Sequence, residues 1–192
     1  MGIPSGYTSA QVVQAVPTGI NSALVCVKAE TAFTSVASVS ADNVFSATYT
    51  NYKLFFNVTA KSATSDFTMR LRVGGVDAAG ATDYRYAFMT RSSDGTSAAD
   101  NSNGASFMRI GFAPNPSLVP FAVQSIEIMQ PFQTQITSFA GTGPRGLGTN
   151  SIAHETFGGV YTPTTSFDGF TLFTASGTMT GTYAVYGYSK TV

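Results

Sequence analysis

A chain of 192 residues has room for one domain of ordinary size, with a core that needs neither disulfides nor metals. Charged residues make up only 10% of it, against about 25% in a typical globular protein, and ten Lys plus Arg balance ten Asp plus Glu. So neutral a surface has no field to draw in a polyanion, which makes nucleic acids and acidic membranes poor partners, and its weak self-repulsion suits a chain that works inside an assembly.

Residues 1–22, MGIPSGYTSAQVVQAVPTGINS, contain Pro4, Pro17, three glycines and no charge. No helical or strand period persists through them. They read as an extended N-terminal arm that is ordered against something else, with 23–192 as the folded domain. The start lacks the basic region and apolar stretch of a secretory signal. Gly6 stands where a myristoylation motif wants Ser or Thr. The expectation is synthesis in a cytoplasm.

ALVCVK (23–28) is strand-like, and its Cys26, the chain's single cysteine, reads as a small buried hydrophobe. FTSVASVS (33–40) and YKLFFNVTA (52–60) carry aromatic and β-branched residues in strand fashion. DFTMRLRVGG (66–75) has the clearest alternation. Phe67, Met69, Leu71 and Val73 point one way, Thr68, Arg70 and Arg72 the other, and a Gly-Gly turn ends the run. YRYAFMTR (84–91) leads into SSDGTSAADNSNG (92–104), which reads as a polar loop. Strands SFMRIGFA (106–113), FAVQSIEIMQ (121–130) and TQITSFA (134–140) follow, then GTGPRGLGTN (141–150), which reads as a Gly-rich loop. SIAHETFGGVY (151–161), FDGFTLFTA (167–175) and TYAVYGYSK (182–190) complete the chain. In the last, Tyr183 and Val185 face one way and Ala184, Tyr186 and Tyr188 the other, so both faces want cover, and Gly187 leaves room for a close neighbour.

Short strands punctuated by Gly, Pro and Asn, with no helical period, predict an all-β chain. The expected form is an antiparallel β-sandwich, jelly-roll-like, with long connections at 74–83 and 92–104 carrying the chain between sheets.

Candidate chemistry is thin. His154 and Asp168 supply two parts of a hydrolytic triad, but no G-x-S-x-G elbow accompanies them. Glu127, Glu155 and Asp168 are the carboxylates within or beside strands that a glycosidase would have to draw on, and their spacing favours none. Glu127 and Glu155, flanked by apolar residues, equally fit buried and paired structural acids. Asp94, Asp100, Asn101 and Asn103 near Gly104 imitate the rhythm of a calcium loop without its closing Glu. GTGPRGLG (141–148) lacks the Lys-Ser/Thr of a phosphate loop, though Arg145 at its tip is placed to meet an anion. The sequon at Asn57 falls inside a predicted strand. No catalytic, cofactor-binding or metal-binding residue is assigned.

NVFSATYTNY (43–52), RLRVGGVD (70–77) and the closing GTMTG (177–181) with VYGY (185–188) and Lys190 form a pattern. It resembles a recurrent module of virion structural proteins of tailed bacteriophages. The resemblance implies a jelly-roll-like module used for capsid decoration or in head or tail fibres, commonly as a homotrimer, and brings no catalytic residues. Among these uses, a compact domain with a short arm and no fibrous repeat fits a cement protein bound to the major capsid protein or other virion proteins. The alternative is a tail-fibre or receptor-binding protein whose loops 92–104 and 141–150 touch host-surface glycans.

Overall fold

The computed structural model describes residues 23–112, 121–148 and 151–190. The predicted arm lies outside the described residues. Among them every regular element is a strand. The strands are β1 (Leu24–Val36), β2 (Ser38–Ala41), β3 (Asn51–Lys61), β4 (Phe67–Val73), β5 (Val76–Asp77), β6 (Tyr84–Ser92) and β7 (Ser97–Ala105), followed by β8 (Met108–Gly111), β9 (Ala122–Met129), β10 (Thr137–Gly148), β11 (Ser151–Tyr161), β12 (Gly169–Thr174) and β13 (Met179–Tyr188).

They form two antiparallel sheets. One has eight strands in the order β1-β13-β3-β9-β10-β11-β6-β7; the other runs β2-β12-β4-β5, with β8 also on β4. The sandwich expected from the alternation is therefore present. Its core is filled by the inward residues of both sheets. Tyr52, Leu54, Phe56 and Val58 of β3 alternate inward, and Phe56 meets Phe67 of β4 edge to face with ring centroids 5.4 Å apart. Phe170 of β12 meets Tyr183 of β13 in the same way at 5.8 Å. Tyr84 is fully buried, and its hydroxyl is satisfied between the sheets: it accepts from the Leu71 amide at 2.9 Å and donates to the Ala78 carbonyl at 3.0 Å. A buried hydroxyl that is bonded at both ends fixes the crossing from β5 to β6 without a desolvation cost.

Three readings are corrected. The stretch 33–40 is not one strand. Ser35 takes φ 52°, and the chain leaves β1 in one sheet and enters β2 in the other. The loop at 92–104 is a tight turn followed by β7, which returns along β6 in the same sheet, so it carries no crossing. Asp94 builds that turn by accepting from the Thr96 amide and hydroxyl at 2.9 and 2.7 Å. The described part of the Gly-rich loop, 141–148, is the greater part of β10, paired with β11 except at a register break between Gly146 and Gly148.

The two segments furthest apart in the resemblance meet in space. A Cβ on Gly187 would overlap the ring of Tyr49, so the missing side chain of one is the seat of the other. Tyr49 stands edge-on to Tyr52 at 5.9 Å, Tyr52 packs on Phe45 at 4.8 Å, and Lys190 donates to the Ala47 carbonyl at 2.7 Å. The RLRVGGVD segment closes the other sheet. Gly74 and Gly75 turn it with φ of 57° and 79°. Arg72 then reaches Asp77 at 2.5 Å, Asp42 at 2.8 Å and Thr171 at 2.9 Å.

Candidate functional site

The outward side of the eight-stranded sheet is the broad surface that the second sheet leaves uncovered. Alternation along β13 and β3 puts Ala184, Tyr186, Tyr188, Lys53, Phe55 and Asn57 on it. Ser125 and Glu127 follow on β9, beside Thr142 and Ala140 of β10. His154 and Thr156 of β11 then lie beside Arg91 and Met89 of β6.

Two shallow depressions lie along this face. One, of about 270 Å³, is lined by Lys53, Ser125, Glu127, Ala140, Gly141, Thr142 and Phe157. The other, of about 290 Å³, is lined by Met89, Thr90, Arg91, Ser97, His154 and Thr156. Lys53 donates to Glu127 at 2.8 Å, and the other Glu127 oxygen accepts from the Tyr188 hydroxyl at 2.6 Å. Desolvation, reinforced by that carboxylate, pushes the Tyr188 hydroxyl up to about 12, so it stays a donor at neutral pH. Phe55 and Tyr186 stand edge to face at 5.7 Å. The final strand thus has one face in the core and its Tyr186 and Tyr188 half-buried on this outer surface.

The sequence candidates do not converge. His154 is exposed on the outer face, with its Nε2 2.8 Å from the Thr142 hydroxyl. Asp168 lies just before β12 of the other sheet and accepts from the Gly74 amide at 2.9 Å. Asp100 is turned towards Arg109 at 2.7 Å, while Asn101 and Asn103 occupy the opposite side of β7. An extended strand cannot wrap oxygens around one ion, so the calcium rhythm at 94–104 is broken. Asn57 lies within β3. Cys26 is exposed, not buried, because it falls on the outer side of β1 opposite Tyr186.

Glu127 and Glu155 are both paired acids, and only Glu155 is fully buried. Arg145 is not at a loop tip. It points into the domain, almost wholly buried, with its Nε 2.5 Å from Glu155. Glu155 is 0% exposed and also accepts from Gln124 Nε2 at 2.8 Å and the Phe112 amide at 3.2 Å. Burial pushes its carboxyl up to about 7, against the opposing pull of Arg145 and the hydrogen bonds. Arg145 was legible as the cation of its segment; its inward direction was not, because the glycines around it hid the strand.

No protein-family model, curated protein or solved structure matches the chain.

Proposed function

We propose that this chain is a non-enzymatic structural protein of a tailed-phage particle. It decorates and cements the head, bound as a homotrimer to the major capsid protein or neighbouring virion proteins. The observation that carries the reading is the seat of Tyr49 on Gly187. Segments 43–52 and 185–188 carry the resemblance from opposite ends of the chain, and they behave as one packed unit, which is what a shared module requires. The outer sheet face supports an assembly role: it is broad, sparsely charged, and its Lys53–Glu127 pair is already neutralised. The uncharged segment 1–22 serves as a strap to the neighbour.

Gold-labelled antibody against the protein, viewed on purified particles by electron microscopy, decides the location. Label spread over the head is expected. Label confined to the tail overturns decoration in favour of an adsorption protein. Deleting residues 2–20 is expected to leave a folded β domain, seen as a retained strand spectrum in circular dichroism, that is absent from particles. Normal incorporation of the deleted form removes the strap from the proposal.

A further inference from the structure

Among the described residues the sandwich has four principal sheet edges, and three are blunted. β2 offers four residues and β5 two. β1 is long, but its register against β13 breaks at Cys26/Lys28, Lys28/Thr31 and Phe33/Val36, and it carries Lys28 and Glu30. Bulges, charges and shortness are the usual protections against strand addition. β7 has little of this. It is nine residues long, pairs with β6 on one side only among the described residues, and has one register break, towards its Ala105 end. It has no Pro, Lys or Arg. Its one charge, Asp100, is already tied to Arg109.

A second observation lies beside that edge. Met89, opposite Ala99, is 65% exposed, and Ile152, one strand further in, is 49% exposed. Met89 stands with Ala87 and Ala99 as a short apolar strip along the outer face next to the unpaired backbone, while Ile152 lies apart from it, beyond Arg91 and His154.

We propose that β7 pairs antiparallel with β7 of a second copy of this chain about a two-fold axis, joining two eight-stranded sheets into one. The contact runs about 30 Å, the length of a nine-residue strand. The occupant is a second copy because the edge is complementary to itself. Its outward side chains are Ser, Ala and Asn, so two copies meet without charge repulsion, and each brings its own Met89–Ala99 strip towards the junction. This contact does not depend on the virion assignment. It joins two protomers, or two trimers where trimers form.

Mass measured by light scattering after gel filtration tests it. The full chain is expected to have the mass of a dimer or hexamer. Replacing Asn101 by Pro is expected to halve that mass, since it removes a donor from the edge. If that variant does not fold, Ala99→Lys with Asn101→Lys decides the matter, because both positions are exposed and the added charges oppose each other across the axis. A monomer or trimer for the full chain, or an unchanged mass in folded variants, overturns the proposal.

Discussion

Glu155→Ala is expected to lower the unfolding free energy by about 3–5 kcal/mol at pH 8, the cost of breaking a buried ion pair from one side. The change takes from Arg145 the carboxylate its Nε contacts, and takes the acceptor from Gln124 Nε2 and the Phe112 amide. Replacing both partners, Arg145→Met with Glu155→Leu, is expected to recover most of the loss, because the desolvation cost of two charges disappears together. Denaturant melts of the single and double variants check this. A double variant as unstable as the single one would show that the pair gains more from attraction than it loses in leaving water.

The same carboxyl makes stability depend on pH, with a definite sign. Its folded value, about 7, lies above its ordinary 4.5. Between those values the folded chain keeps a proton that the unfolded chain has released. The contribution is therefore full below pH 4.5 and is lost as pH rises through 7, on the order of 3 kcal/mol in all. Glu155→Gln mimics the neutral carboxyl, so it is expected to match the native chain at pH 5 and to flatten this part of the profile. A native profile that rises with pH through this window, and keeps that rise in Glu155→Gln, would assign the dependence to other groups.

Most of the fold was legible where one face of a strand is buried. β3 and β9 alternate cleanly, and the predicted and observed limits of β3, β4, β9 and β11 differ by at most two residues, although Thr68 of β4 is buried and its Val73 is exposed. The failures have physical causes. β7, SAADNSNGA, buries no large side chain, so it has no apolar period to read; its pairing comes from the turn at Asp94 and Gly95 and from β6. In the sequence the strand of β10 ends at Ala140, because glycine and proline normally end strands. The candidate site suffered most from that error. With β10 shortened, Arg145 became a solvent-facing cation, and the Arg145–Glu155 pairing across β10 and β11 could not be seen. The outer face was harder still to read, since half-buried tyrosines suit a core, a solvated surface or an interface equally well.

Gly143 shows why the glycines of β10 belong to a strand, and it makes the sharper test. A Cβ there would fall well inside contact with the carbonyl oxygen of Val123 on β9, and 2.8 Å from Gln124 Oε1. Between the pairs Thr142↔Ser125 and Arg145↔Ala122 the β9–β10 register has no pair at Gly143 or Pro144. Pro144 has no amide to give, so a proline is tolerated within a central strand at that gap. Backbone, unlike a flexible side chain, cannot swing aside, and both strands are held on their far sides by β3 and β11. Gly143→Ala is therefore expected to cost about 3 kcal/mol or more, the upper range for forcing a methyl into a packed site. Gly158→Ala is the matched control. Its Cβ would meet only the Phe139 carbonyl oxygen, at an ordinary 3.6 Å, and the change is expected to stay within about 0.5 kcal/mol of the native chain. Thermal or denaturant unfolding of the two variants separates the cases. Equal behaviour would mean that 141–148 is the loop its composition suggests, and Arg145 would then lose the strand that turns it inward.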